Sequence, residues 1–101
     1  MKQYMDLRQA SVIYFTESGK ALAENIGEKL QTARPGLSLR MGRTPGQSLQ
    51  EWCRAAFGDS QLLVFVGAAG IAVRAIAPFV RDKFADPAVL VLDEQGNYGI
   101  P

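Results

Sequence analysis

Residues 61–74 read QLLVFVGAAGIAVR, and this segment constrains the architecture more than any other part of the chain. The continuous apolar run over residues 61–67 is typical of a strand that is buried on both faces of a parallel sheet. The GAAG turn that ends the run leads into a further apolar segment, which predicts a helix from about Ile71. The segment therefore predicts a strand, a glycine turn and a helix in succession.

Similar strand and helix patterns occur on both sides of this segment. Further strands are predicted at residues 10–16, 37–41 and 88–93, with a turn over residues 94–97 and the beginning of a last strand at residues 98–100. The predicted helices run from a cap at Ser18 to Arg34, from a Ser48–Glu51 capping box to a left-handed turn at Gly58, and from Ile71 to Phe84 with a break at Pro78. Strands separated by helices of this length predict a three-layer α/β sandwich with an open, mainly parallel sheet of Rossmann or flavodoxin type.

The composition excludes several classes of function. The chain has 101 residues, a formal net charge of +1 and no histidine. The basic residues are scattered, so no nucleic-acid partner is expected. Without histidine, the chain has no Ser-His-Asp or Cys-His catalysis and no imidazole acid–base chemistry. The single cysteine, Cys53, is predicted to be a small buried apolar residue.

The hydropathy pattern gives no membrane segment. The longest apolar stretch covers residues 62–73 and ends at Arg74, whereas a bilayer-spanning helix needs roughly 20 residues. The N-terminus lacks the apolar core of a signal peptide. We therefore expect a cytoplasmic protein with no membrane partner.

Three polar or glycine-rich clusters follow predicted strands. They are residues 16–20, residues 67–70 and residues 93–94. The carboxyl ends of parallel strands share one edge of a sheet, and ligands of such folds bind there. The three clusters are therefore expected to lie on a common rim that binds a ligand.

The glycine turn has three interpretations from the residues alone. Gly67 and Gly70 can expose backbone amides at the start of the helix, where they would favour an anion or a developing oxyanion. Alternatively, the glycines make room for close packing of the strand against the helix. A dinucleotide fingerprint is matched only loosely, since Ala69 replaces a required glycine, although Asp93 stands where a ribose-binding acid would.

Charged residues beside the turn also have two interpretations each. Arg74 would bind a carboxylate if it lay in the first turn of the third helix, but with Arg81 it also fits an exposed stripe on one helix face. Glu17 either acts on a substrate or only begins the first helix. Asp93 and Glu94 are either rim acids or ordinary turn residues.

Three quoted segments carry a family resemblance. FVGAAGIAVRAIAP (65–78), DPAVLVLDEQGNY (86–98) and the terminal Ile-Pro closely resemble the N-terminal domain of the CbiG family of cobalamin-biosynthesis proteins, the cobalt-precorrin-5A hydrolases. The segment Thr16-Glu17-Ser18-Gly19 is similar to the start of that family. The resemblance covers about residues 10–101, which makes residues 1–9 a lead-in.

The resemblance implies a step in the anaerobic, cobalt-early route to cobalamin. Members of the family open a δ-lactone on a cobalt tetrapyrrole intermediate and release a two-carbon unit as acetaldehyde. No separate cofactor is implied, because the cobalt belongs to the substrate. Family members continue beyond Ile-Pro, so we expect the domain at 10–101 to be incomplete at its C-terminal end and to need a C-terminal domain or a partner chain.

For this reaction, we hypothesise roles for the rim residues. Either Glu17 or Asp93 would be the base that activates water. The substrate-binding candidates are Thr16, Ser18, Gly67, Ala68, Ala69, Gly70 and Arg74. No metal-binding residue is predicted. The alternatives are a tetrapyrrole-binding or scaffold fragment without catalysis, and a nucleotide-binding α/β module.

Overall fold

A computed structural model describes residues 7–67, 69–81, 86–94 and 98–99. The strands are β1 (Gln9–Tyr14), β2 (Ser38–Met41), β3 (Leu62–Val66), β4 (Ala88–Leu92) and β5 (Tyr98–Gly99). The helices are α1 (Glu17–Ala33), α2 (Leu49–Asp59) and α3 (Ala69–Ile76), and a short 3-10 helix at Ala77–Phe79 follows α3. The elements alternate along the chain in the predicted order.

The strands form one sheet in the order β2-β1-β3-β4-β5. The first four strands are parallel to their neighbours, and β5 pairs antiparallel with β4. This is the strand order of flavodoxin-type folds, and the chain changes direction across the sheet between β1 and β3. The predicted open, mainly parallel sheet is therefore confirmed.

The two faces of the sheet are covered by different helices. On one face, Ile13 and Phe65 pack in a cluster with α2 and α3, and the Trp52 ring meets the Phe65 ring edge-to-face at 5.8 Å. On the other face, Val64 packs in a cluster with Ala23 of α1. Alternate strand residues therefore face opposite layers, because successive side chains of a strand point to opposite sides. The sandwich of three layers is confirmed.

The start of α1 differs from the prediction. Thr16, rather than Ser18, is the N-cap, with extended backbone angles and a hydroxyl that accepts a hydrogen bond from the Gly19 amide at 3.0 Å. A cap hydroxyl must reach the free amide three residues later, and Thr16 stands at that distance from Gly19. The predicted cap at Ser18 is wrong.

The end of α2 also differs. Gly58 lies inside the helix, which continues to Asp59 and is capped by Ser60 in an extended conformation. The Ser60 amide still donates to the Ala56 carbonyl at 2.9 Å, so the helical hydrogen bonds extend past the glycine. Among the described glycines, a positive φ occurs only at Gly42 and Gly46. The predicted left-handed turn at Gly58 is wrong.

The third helix begins and ends earlier than predicted. It starts at Ala69, and Pro78 lies in the 3-10 helix that follows it, after which Val80 is extended. Arg81 is outside both helices, so it does not share a helix face with Arg74. The remainder of the predicted helix to Phe84, residues 95–97 of the predicted turn and residue 100 lie outside the described residues.

A polar cluster links β1, β2 and the end of α2. The hydroxyls of Ser11 and Ser60 are 2.7 Å apart and buried, and Arg40 donates to the Ser11 hydroxyl at 3.0 Å. The same guanidinium forms a two-pronged ion pair with Asp59. Asp59 also accepts from Ser60 at 2.9 Å. The hydrogen bonds to Arg40 hold the pKa of the Asp59 carboxyl below its usual value, and that from Ser60 adds to the effect.

Candidate functional site

The loops after β1, β2, β3 and β4 all leave the sheet at its carboxyl edge, because these strands are parallel. We call the described residues of these loops the carboxyl rim: residues 15–18, 42–48, 67, 69–70 and 93–94. Three of these four loops were predicted from the sequence to bind a ligand. The segment after β2, residues 42–46, was predicted only as a loop and was not assigned to the site.

Thr16 joins two distant parts of the carboxyl rim. Its hydroxyl, which caps α1, donates a hydrogen bond to the Glu94 carboxylate, although the strands that carry these residues are separated by β3. The Gly67 amide donates to the Leu92 carbonyl at 2.7 Å and ties the end of β3 to β4. The predicted clusters at 16–20, 67–70 and 93–94 thus lie along one edge. The acid that contacts Thr16 is Glu94, which directly follows the predicted Asp93.

The predicted acids and hydroxyls occupy distinct positions on the carboxyl rim. Glu17 is exposed in the first turn of α1, where acidic residues complement the helix dipole. Ser18 is exposed too, and its hydroxyl lies 3.4 Å from that of Thr16. Asp93 directly follows β4 and is half-buried. Their proposed chemical roles are not tested by these positions and stay predictions.

An open cleft of about 590 Å³ lies between the loops after β1 and β2. This volume falls in the range of small-molecule sites, which is about 300–1,000 Å³. The cleft is lined by Tyr14, Phe15, Thr16, Glu17, Arg43, Thr44, Gly46 and Gln47. We call it the rim cleft. It contains Thr16 and Glu17 of the predicted site, and its other wall comes from the loop that sequence reasoning missed.

Hydrogen bonds to the backbone of Gly42 hold the loop after β2 in place. Gly42 has a φ of +72°, its amide donates to the Val12 carbonyl at 2.7 Å, and its carbonyl accepts from the buried Trp52 indole at 3.1 Å. A Cβ at Gly42 would lie 3.0 Å from the Tyr14 hydroxyl oxygen. Glycine is therefore favoured at this position for two reasons, the left-handed backbone and the close approach of Tyr14.

The end of the same loop is closed by side-chain caps. The Thr44 amide donates to the Gln47 side-chain oxygen at 3.1 Å. The predicted capping box of α2 is confirmed, with reciprocal hydrogen bonds between Ser48 and Glu51 of 2.8 and 3.0 Å. The hydrogen bond from the Ser48 amide, followed by that from its hydroxyl, lowers the pKa of Glu51.

Phe15, in the loop after β1, lies close to Arg43 of the loop after β2 and to Gly67 of the glycine turn. The Arg43 guanidinium carbon lies 5.7 Å from the centre of the Phe15 ring, within the range of a cation–π contact. A Cβ at Gly67 would lie 3.0 Å from a carbon of the same ring. Gly67 is therefore closely packed, but against Phe15 of the loop after β1 and not between the strand and the helix, as the packing interpretation had it.

Gly70 has a different environment from Gly67. It is exposed at the start of α3, and a Cβ there would meet nothing within 4 Å. Close packing therefore does not explain Gly70, and the binding of an anion by its backbone amide stays a prediction. Ala69 is the first helical residue, while Ala68 lies outside the described residues.

Arg74 is farther from the carboxyl rim than predicted. It lies in the last turn of α3, because this helix covers only Ala69–Ile76. Five residues of helix place it about 7.5 Å along the axis from that start. Arg74 is exposed and does not line the rim cleft. Its role as a carboxylate ligand stays a prediction.

Cys53 takes no part in the carboxyl rim. It is fully buried in the core beneath α2, as predicted, and burial raises the pKa of its thiol to about 11. A protonated, enclosed thiol is a poor nucleophile. This residue is therefore structural.

Two further features are missing from the described ranges. No group of three or more His, Cys, Asp or Glu side chains there is arranged to hold a metal ion. None of the helices in those ranges combines the length and apolar character needed to cross a membrane.

Comparison with known proteins gives a family match and two named relatives. Residues 51–101 match the family model described as Cobalamin synthesis G N-terminal. A cobalt-precorrin-5A hydrolase of Salmonella typhimurium (strain LT2) is 57% identical over 47 residues, covering 46% of this chain and 13% of that protein. A protein of the same name from Priestia megaterium is 28% identical over 96 residues, covering 86% of this chain and 26% of that protein. The chain thus corresponds to about a quarter or less of each relative's length.

A solved structure shares the fold. The crystal structure of a cobalamin biosynthesis protein G homolog from Sulfolobus solfataricus matches with a TM-score of 0.74 and 23% identity. The match covers 90% of this chain and 27% of that one. At this identity the likeness shows the fold alone, and it agrees with the α/β architecture described above.

Proposed function

The chain belongs to the Cobalamin synthesis G N-terminal family, and from this premise we propose that it forms the N-terminal part of a cobalt-precorrin-5A hydrolase. The observation that carries the proposal is the family match over residues 51–101. Both named relatives support the reaction class. The activity is proposed for a longer protein or complex, because the chain spans only 13% and 26% of those relatives.

The proposed ligand is a cobalt tetrapyrrole that carries carboxylate side chains. The geometry that supports this proposal is the carboxyl rim, because the edge where the strand order reverses is the usual ligand position in open α/β sheets. The rim cleft also has hydrogen-bond donors on two loops. It is open to solvent, so it would form one wall of a site completed by a C-terminal domain or a partner chain.

Lactone opening makes three demands on such a site. Water must lose a proton as it attacks the acyl carbon, the developing oxyanion must be stabilised, and the departing alkoxide must gain a proton. Glu17 is the better supported candidate for the base, because this residue lines the rim cleft. Asp93 remains the second candidate.

The amides at the start of α3 are the proposed oxyanion donors. Of the predicted segment, the Gly67 amide already donates to the Leu92 carbonyl, which leaves the amides of Ala69 and Gly70 for this role. The open space beside Gly70 supports access by a ligand. In this proposal Ser18 hydrogen-bonds substrate and Arg74 pairs with a peripheral carboxylate. Thr16 positions the start of α1 beside Glu94 in this proposal, since its hydroxyl already accepts from the Gly19 amide and donates to the Glu94 carboxylate. We further propose that the protein works in the cytoplasm.

An anaerobic assay tests this proposal. Cobalt-precorrin-5A is incubated with the chain, and binding is followed by visible absorption while acetaldehyde is trapped and measured. Binding with acetaldehyde release supports a catalytic part, and binding without release supports a substrate-binding part of a larger enzyme. Binding of NAD or FMN with no response to the tetrapyrrole would instead support a nucleotide-binding module and contradict the proposal.

The acids are tested in the longer protein or complex that shows turnover. Glu17→Gln and Asp93→Asn remove one candidate base each while keeping similar side-chain shapes. Loss of a general base typically lowers the rate by about 10²–10⁴-fold. Unchanged turnover in both variants would exclude both residues as the base.

A further inference from the structure

We propose that Arg43, held above the Phe15 ring in the wall of the rim cleft, binds a carboxylate of the ligand and is the main cationic contact of this site. This inference rests on the proposed function for the identity of the ligand. It differs from the sequence-based expectation, which gave that role to Arg74. Three observations support it.

The first observation is the position of Arg43. It is exposed, it lines the rim cleft, and Glu17 and Thr16 lie on the facing wall. A guanidinium binds a carboxylate through two parallel hydrogen bonds, which gives both strength and a fixed orientation. A carboxylate bound to Arg43 would therefore set the ligand's orientation relative to the candidate base.

The second observation is that the guanidinium is supported but not neutralised. The central carbon of the guanidinium lies 5.7 Å from the centre of the Phe15 ring, within cation–π distance, and this contact does not occupy a hydrogen-bond acceptor of its N–H groups. Arg43 does not belong to an ion pair within 4.0 Å among the described residues. An added carboxylate would thus find a cation beside an aromatic ring whose hydrogen-bond donors are not used in an ion pair.

The third observation is the rigidity of the backbone beside Arg43. The preceding Gly42 is tied through its amide to β1 and through its carbonyl to Trp52. On the other side, the Thr44 amide bonds the side chain of Gln47. A contact group on a backbone fixed in this way loses less conformational entropy when it binds.

The chain contains a matched control for this residue. Arg54 is exposed on α2, and its guanidinium carbon lies 5.9 Å from the Phe79 ring centre. It therefore has the same charge and the same kind of ring contact as Arg43, but it does not line the rim cleft. Arg43→Gln and Arg54→Gln change the net charge equally, so a difference between them reports position.

The test is a binding titration with two forms of one probe. Dicyano-cobyrinic acid has a corrin ring with free carboxylates, and its fully esterified form has the same ring without these charges. Binding is followed by visible absorption, and circular dichroism confirms that each variant is folded. We expect Arg43→Gln to weaken binding of the acid by roughly tenfold or more, the loss expected for a charge-assisted hydrogen bond. Arg54→Gln should change it by less than about twofold.

Two further comparisons sharpen the result. Arg43→Lys keeps the charge but loses the planar pair of donors, so its affinity should lie between those of the wild type and Arg43→Gln. The ester should bind more weakly and should not distinguish Arg43→Gln from the wild type. Equal affinity of the wild type and Arg43→Gln for the acid, or equal losses in Arg43→Gln and Arg54→Gln, would overturn the inference.

A second arm separates this inference from the proposed function. The side-chain Nε–H resonances of Arg43 and Arg54 are followed by NMR during titration with citrate, a carboxylate without a corrin ring. A saturable shift at Arg43 alone supports the carboxylate site even if cobyrinic acid does not bind, and in that case only the tetrapyrrole proposal fails. Equal shifts at the two arginines, or none at either, would count against Arg43 as a carboxylate site.

Discussion

The loop that carries Arg43 depends on Gly42, and substitution of this glycine gives the most detailed prediction. In Gly42→Ala the new Cβ must adopt a φ of +72°, and it would lie 3.0 Å from the Tyr14 hydroxyl oxygen and 3.1 Å from a ring carbon. The left-handed backbone costs an alanine about 1–2 kcal/mol. Displacing the packed ring costs about 1–3 kcal/mol more. Alanine also stiffens the unfolded chain, which offsets about 0.4–1 kcal/mol.

Together these contributions predict a loss of about 3 kcal/mol in the free energy of unfolding. For a domain of this size, that loss lowers Tm by about 4–8 °C for each kcal/mol. Substitutions at two other glycines separate the cost of the left-handed backbone from the cost of displacing Tyr14. Gly46 has a φ of +82° with nothing near its Cβ position, so Gly46→Ala should lose only about 1 kcal/mol. Gly36 has neither constraint, so Gly36→Ala should be neutral or slightly stabilising.

Urea unfolding followed by circular dichroism and by fluorescence measures the series. Trp52 is the single tryptophan of the chain, and its indole bonds the Gly42 carbonyl, so its emission reports on the loop directly. Equal losses in Gly42→Ala and Gly46→Ala would show that Tyr14 does not pack against residue 42. No loss in either variant would refute the left-handed backbone at both positions.

Three other properties are predicted from the structure. Gly58→Ala should raise the free energy of unfolding by about 1 kcal/mol in urea titrations, because residue 58 is inside α2. A lower free energy of unfolding in this variant would instead support a left-handed backbone at residue 58. The Asp59 carboxyl has a lowered pKa in the folded state, so its contribution to stability is present above its unfolded pKa and is lost as the pH falls through the folded value. Between pH 6 and 2.5, the free energy of unfolding should therefore fall more steeply in the wild type than in Asp59→Asn. The difference should be small and salt-dependent, since the carboxylate is half-exposed. Parallel curves for the two proteins would contradict the Arg40 contact. The buried thiol of Cys53, with a pKa raised to about 11, should react with a disulfide reagent at pH 8 only after urea unfolding, and rapid reaction of the native chain would contradict its burial.

The sheet and its layers were predictable because the core pattern is local. The run at β3 is apolar at every position, and this pattern is characteristic of a strand with helices on both faces. The two helix ends were predicted less well. Ser18 and Thr16 are both good caps by residue type, and only the hydrogen bond to Gly19 distinguishes them. Gly58 is also a favourable terminator by type, but the hydrogen bonds of α2 continue beyond it.

The carboxyl rim was predicted in part. Parallel strands place Thr16, Gly67 and Asp93 on one edge, and that reasoning applies equally to the end of β2. The signal at Gly42-Arg43-Thr44 was therefore present in the sequence and was read only as a loop. The contact of Arg43 with Phe15 could not be predicted, because it joins different loops through side-chain packing. The same holds for the bond between Thr16 and Glu94, which passes over an intervening strand.

The location of ligand binding is tested most directly by mapping backbone amide shifts with NMR. The ¹⁵N-labelled chain is titrated with dicyano-cobyrinic acid, whose cobalt is diamagnetic. The rim-cleft account predicts saturable shifts centred on Thr16, Glu17, Arg43 and Thr44, with little change near Leu37 and Gln61 at the opposite edge of the sheet. Shifts confined to that opposite edge, or spread evenly over the surface, would contradict it.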